Sequence, residues 1–209
     1  MSWTLENYDT LWTALVEHVA IVAEALAISL AISLPLGIWS ARRPRLYALV
    51  LVVTGALYTV PALALFAVLI PFMGLGAGPA LVAIVMYSLL VLTRNVVTGL
   101  REVPRDVLDA ADGMGFGPIR RLVRIELPLA APVIVAGIRL TVVTQISVAT
   151  VGAFIGAGGL GDIIFQGITQ DIGEKVVAGA VAASGLAIVA DDFLRRAERA
   201  LRAAQGLPA

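Results

Sequence analysis

The chain has 209 residues, 59% hydrophobic and 14% charged, with 15 lysines and arginines against 15 acidic residues and no cysteine. An ordinary soluble domain is about half apolar and about a quarter charged, so this composition excludes that class and indicates one integral membrane domain. The missing cysteines exclude a disulfide framework and a thiolate metal site, while zero net charge singles out no class of partner.

A helix needs about 20 apolar residues to cross roughly 30 Å of hydrocarbon, so the uncharged runs set where crossings are expected. The N-terminal stretch MSWTLENYDTLW is acidic and lacks the basic start of a cleavable signal peptide. A first span is expected at about 18–40, with Trp3 and Trp12 near one end and Trp39 at the other, as an interfacial aromatic belt requires. Glu17 and Glu24 are seven residues apart and so share a helical face; they read as interfacial or inter-span contacts, or as part of an outer docking surface. His18 is the only histidine, and no metal site is expected there.

Residues 46–93 carry no charge, which is room for two crossings, and Pro71, Gly74, Gly76, Gly78 and Pro79 punctuate the run. Such turn chemistry marks a short connection, giving spans at about 47–70 and 79–93. Arg139 is the only charge between Leu127 and Gly161, so a fourth span is expected near 130–151. A fifth, at about 174–193, contains Ala178, Gly179, Ala182, Ala183, Ser184 and Gly185; small residues at these spacings let helix backbones approach closely.

Basic residues orient the spans. Arg42, Arg43 and Arg45, the arginines between 94 and 124, and Arg195, Arg196, Arg199 and Arg202 all fall on one side, expected to be cytoplasmic, and only Lys175 lies clearly opposite. The N-terminus is then outside, the C-terminus inside, and the loop at about 94–128 cytoplasmic.

That loop holds DAADGMGFGPIRRLVRIELP, residues 109–128. A short helix is expected from Pro104 to about Met114, with Asp106, Asp109 and Asp112 on one face and Val107, Leu108 and Ala111 on another. Gly115 and Gly117 end it, glycine taking left-handed angles cheaply. Pro118 opens a second helix with Ile119, Leu122 and Ile125 along one face and Arg120, Arg121 and Arg124 elsewhere. Pro128 is expected to hold Leu127 extended and stop it. The loop far exceeds an ordinary connection, and its two amphipathic helices describe an elbow that meets a soluble partner.

The segment resembles the cytoplasmic loop of membrane subunits of binding-protein-dependent ABC importers. That loop reads Glu-Ala-Ala, three residues, Gly, nine residues, Ile, one residue, Leu-Pro, and Asp109-Ala110-Ala111, Gly115, Ile125 and Leu127-Pro128 meet that spacing, with aspartate for the usual glutamate. Thr59-Val60-Pro61-Ala62-Leu63-Ala64-Leu65, Arg94-Asn95, Gly99-Leu100, Gly137-Ile138-Arg139 and Ile155-Gly156-Ala157-Gly158-Gly159-Leu160-Gly161 resemble the glycine betaine/carnitine/choline branch. The likeness covers about residues 18–193.

It implies an all-α type I permease fold, residues 1–209 forming one domain of about five transmembrane helices with a cytoplasmic coupling helix-turn-helix elbow. It further implies import of a small compatible solute, with an amino acid or another polar solute as the alternative cargo. The partners implied are two ATP-binding subunits that hold ATP and Mg, a second permease (the same chain or a paralogue) and an extracytoplasmic solute-binding protein. The setting implied is a multi-pass protein of a prokaryotic plasma or inner membrane, with no cofactor of its own, no nucleic acid and no catalysis. Asp109, Ala110, Ala111 and Gly115 would seat in the ATPase, and Arg120, Arg121 and Arg124 would offer it charge-assisted contacts.

Arg139, as an intramembrane charge, is expected to have a partner, and Asp191 or Asp192 is the candidate. GAGGLGD lacks the Lys-Ser/Thr of a phosphate loop; Gly156, Gly158, Gly159 and Gly161 read instead as an outer gate. No tryptophan or tyrosine lies beyond Tyr87, so no aromatic cage for a quaternary ammonium is evident. An intramembrane enzyme needs a convergent nucleophile, base or metal set that this chain lacks, and a channel or secondary transporter is the remaining alternative.

Overall fold

The computed structural model describes residues 2–206, which form helices and turns with no strand among them. In order these are α1 (Ser2–Glu6), α2 (Tyr8–Ala41), α3 (Pro44–Thr59), α4 (Ala62–Met73), α5 (Ala77–Arg101) and α6 (Arg105–Gly113). Then come α7 (Pro118–Arg121), a π-helical turn (Leu122–Glu126), α8 (Leu127–Gly152), a 3-10 turn (Ala153–Ile155), α9 (Leu160–Thr169) and α10 (Gly173–Ala204).

Four helical stretches are long and apolar enough to cross a membrane: α2, α5, the 38-residue run Pro118–Ile155, and α10. The crossing expected as one helix at 47–70 is instead a pair, α3 and α4, bent by 95°. The cause is local. Val60 precedes Pro61 and is extended (φ −69°, ψ 127°), because the proline ring disfavours helical angles in the residue before it.

The sequence expectation also fails at Pro128. Leu127 is helical, and the second elbow helix does not stop there but continues into α8. The Leu127 N–H donates to the Leu122 carbonyl, five residues back, which widens the turn. A proline lacks the N–H of a regular turn and collides with the carbonyl four residues earlier; the wider π turn accommodates the ring without breaking the helix. The first elbow helix begins at Arg105, with Pro104 as its extended cap.

The bundle is built around α5. More than half of its apolar window is buried (56%), against 11% for α10. In lipid, helix association rests on close packing and inter-helix hydrogen bonds rather than on the hydrophobic effect, and α2 shows how. Ala25, Ser29, Ser33, Gly37 and Ser40 form a buried small-residue face. A Cβ on Gly37 would lie 2.6 Å from Val96 Cγ1 of α5, so glycine sets that approach. Midway, Gln145 Nε2 of α8 donates to Ser88 Oγ of α5 at 2.9 Å and to Ser29 Oγ of α2 at 3.4 Å. Val22, Ala25, Ile84, Val85, Val142, Ile146 and Ala149 pack around that junction.

Candidate functional site

The elbow is α6, a glycine turn and α7. Gly115 closes α6 at φ +77° with nothing within 4 Å of where a Cβ would stand, so its glycine is required by backbone angle and not by crowding within this chain. Its N–H donates to Asp112 O (3.0 Å) and that of Phe116 to Ala111 O (3.1 Å), satisfying carbonyls a helix end would leave open. Asp109 and Ala110 are exposed, whereas Ala111 is fully buried and so packs the elbow onto its own chain.

Around that turn the surface is apolar. Met114 is 68% exposed, Ile119 78% and Val123 56%, while Leu122, Ile125 and Leu127 are half-buried. Arg120 lies over the Phe116 ring at 4.6 Å, and Arg124 is exposed. An exposed apolar patch rimmed by charge is what a protein-docking surface looks like.

Arg121 is engaged internally. Its NH1 reaches Asp112 Oδ1 at 2.6 Å and its Nε donates to Glu126 Oε1 at 3.0 Å. Glu126 also accepts from Arg42 NH2, the C-cap of α2, at 3.1 Å. A carboxylate with 8% of its side chain exposed is thus held by two guanidiniums, as burial of a charge requires. The sequence marks Arg42 only as one of the orienting basic residues and gives Glu126 no role. The only available signal was a carboxylate between Ile125 and Leu127 in an apolar register.

Deeper in the bundle, Arg139 Nε sits 2.7 Å from Asp191 Oδ1, an ionic contact rather than an aligned hydrogen bond. Its NH1 donates to Glu198 Oε2 at 2.9 Å. Asp192 is not brought to Arg139; it pairs with Arg196 at 2.7 Å. Glu198, one helical turn before Arg202 and paired with it at 3.0 Å, was not anticipated. A cleft of about 730 Å³ opens beside this cluster, lined by Tyr58, Leu140, Thr144, Asp191, Asp192 and Arg195.

At the opposite end the glycine segment makes a tight turn. Gly156, Gly158 and Gly159 all have positive φ, and a Cβ on Gly161 would lie 2.2 Å from the Thr150 carbonyl oxygen. Helix α2 holds this turn through two residues. Glu17 Oε2 accepts from the Gly159 N–H at 3.2 Å, and the fully buried His18 lies against Gly159 with Nε2 3.2 Å from the Ile146 carbonyl. A carbonyl can only accept, so Nε2 carries the proton. Asp162, at the start of α9, has its pKa raised by burial and secondarily by the Glu17 charge.

Comparison with known proteins follows the same outline. Residues 33–203 match the family described as binding-protein-dependent transport system inner membrane component. The choline transport system permease protein OpuBB of Bacillus subtilis is 40% identical over 88% of this chain and 85% of its own length. The glycine betaine/carnitine/choline transport system permease protein OpuCD of that organism is 42% identical over 81% and 75%. The osmoprotectant import permease protein OsmW of Salmonella typhimurium is 38% identical over 93% of each. A structure of the MetNI methionine ABC transporter in an inward facing conformation shares the fold, with TM-score 0.81, covering 91% of this chain and 95% of that one at 24% identity.

Proposed function

Because this chain belongs to the binding-protein-dependent transport system inner membrane component family, we propose that it is the permease subunit of an ATP-driven importer for a small osmoprotectant such as glycine betaine, choline or carnitine. The observation that carries the solute class is the 38–42% identity to permeases of that class over most of both chains. An amino-acid cargo rests on a likeness of fold alone.

The chain supplies the path and no catalysis. Two ATP-binding subunits hold ATP and Mg beneath it, a second permease (the same chain or a paralogue) completes the path, and an extracytoplasmic binding protein delivers the solute. The protein spans a prokaryotic plasma membrane several times, N-terminus outside. Asp109, Ala110, Gly115 and the apolar rim of Met114 and Ile119 dock into the ATPase, and Gly156, Gly158, Gly159 and Gly161 form the outer gate.

Coupling follows from helix continuity. The second half of the elbow and the fourth crossing are one helical run of 38 residues, about 57 Å at 1.5 Å per residue. When ATP closes the ATPase pair, a displacement at Ile119 is therefore passed along a rod instead of being absorbed by a loop. Rigid-body rocking of packed helices needs such a lever.

The test is reconstitution of the chain with the ATPase, any second permease and the binding protein encoded beside it, followed by ATP-dependent uptake of labelled glycine betaine, choline and carnitine. Uptake in the native assembly, lost in Gly115→Trp with the chain still in the membrane, supports both solute class and elbow. ATP hydrolysis stimulated by a loaded binding protein, without uptake of these solutes, keeps the importer and discards the class. Failure of any ATPase to associate removes the reading.

A further inference from the structure

We infer that Glu126 and Arg42 form a brace that turns movement of the elbow into movement of α2, making them positioning residues for energy coupling; this rests on the importer reading above. Four charged groups make one chain of contacts: Asp112 on the first elbow helix, Arg121 on the second, Glu126 on the π turn and Arg42 at the end of α2. Two of the three links meet on one carboxylate whose side chain is 8% exposed.

Helical continuity carries elbow motion into α8 only. Nothing covalent near the elbow joins it to α2, which is 84 residues distant in sequence at this contact. Leu122 and Leu127 enter the apolar cluster that Leu34, Ile38 and Ala41 of α2 also enter, and the Glu126 carboxylate adds the directed, charged link. Glu126 is the last residue of the π turn, and from there its carboxylate reaches Arg42 at the end of α2.

The geometry also sets the consequence of losing each partner. Without Arg42, Glu126 keeps Arg121, so the elbow itself stays closed and loses its charged link to α2. Without Glu126, both guanidiniums lose their shared carboxylate.

The experiment compares the native assembly with Arg42→Met, Arg42→Lys, Glu126→Gln and the double variant Arg42→Met/Glu126→Gln in proteoliposomes, reading solute moved per ATP hydrolysed. Arg42 is 46% exposed along its side chain, so Arg42→Met is the variant that keeps its place in the membrane if Glu126→Gln does not. The expected result is a fall of about tenfold in solute per ATP for Arg42→Met, the order of effect of severing a partly buried ion pair. ATPase association should be unchanged, Arg42→Lys should recover most of the loss, and the double variant should be no worse than the more affected single variant. Unchanged solute per ATP in Arg42→Met, or losses that multiply in the double variant, overturn the brace. A native assembly without ATP-dependent uptake overturns the importer reading instead, and the brace with it.

Discussion

The Tyr87 hydroxyl on α5 donates a hydrogen bond to the carbonyl of Val60, the residue at which α3 and α4 part at 95°. A proline-induced break in an apolar run leaves backbone carbonyls without helical partners, and in lipid each must be satisfied within the protein. Tyr87 does this from the most buried helix, with Tyr58 edge-on to its ring at 5.8 Å.

Tyr87→Phe is therefore expected to cost about 1 kcal/mol through the lost hydrogen bond, seen as a fall of about 2–4 °C in thermal midpoint in detergent. Tyr87→Leu also loses the ring contact, about 1 kcal/mol more. A Phe variant that unfolds with the native protein would show that the Val60 carbonyl needs no partner.

Gly156 and Gly159 separate backbone angle from crowding. Both have φ near +80°, but a Cβ at 156 meets nothing within 4 Å, whereas one at 159 lies 2.8 Å from His18 Nδ1. Gly156→Ala should cost about 1–2 kcal/mol for the left-handed angle alone. Gly159→Ala should cost more, and His18→Ala should relieve part of the excess. Equal losses in thermal unfolding for the two glycine variants would mean that the contact with His18 is slack.

Some of this architecture was open to reading and some was not, for reasons that residues show. Uncharged runs and the arginines between them mark the crossings and the elbow because charge is costly in hydrocarbon, a cost that depends on composition alone. The bend at Val60 leaves no mark in hydropathy despite Pro61, since the apolar run continues through it. Pro128 predicts a helix stop by a local rule that holds unless the turn before it widens. The meeting of Glu126 with Arg42 joins residues 84 apart in the chain, which no local rule reaches. The sequence points to Asp191 or Asp192 as the mate of Arg139; Glu198 lies two turns beyond Asp191 on the same face of α10, past the end near residue 193 that the apolar run predicts for the fifth span.

Asp162 gives the glycine turn at the start of α9 a pH dependence of definite sign. Its pKa is raised above the ordinary 3.8 by burial first and by Glu17 second. A group that binds its proton more tightly when folded contributes stability that is full below the unfolded pKa and lost as pH rises through the folded one. The contribution of Asp162 to the thermal midpoint should therefore fall as pH rises from about 3.8 upward, and the difference between the native chain and Asp162→Asn should show it. Glu17→Gln should reduce it in part. A profile that is the same in Asp162→Asn as in the native chain assigns the titration to another group.

Arg139 allows a sharper test because its two acidic contacts differ from a neighbour that makes none. Arg139 holds Asp191 and Glu198, whose side chains are 24% and 11% exposed, while Asp192 is 44% exposed and paired elsewhere. Arg139→Met should cost about 2 kcal/mol, less than a fully buried pair because water reaches part of it. Asp192→Asn should cost about 0.5 kcal/mol or less, as an exposed pair does. Arg139→Asp should be partly rescued by Asp191→Arg and not by Asp192→Arg, read as membrane level and thermal midpoint. Rescue by Asp192→Arg alone would mean that α10 is rotated relative to α8 in the working protein, and the cleft beside Tyr58 would then present the other aspartate.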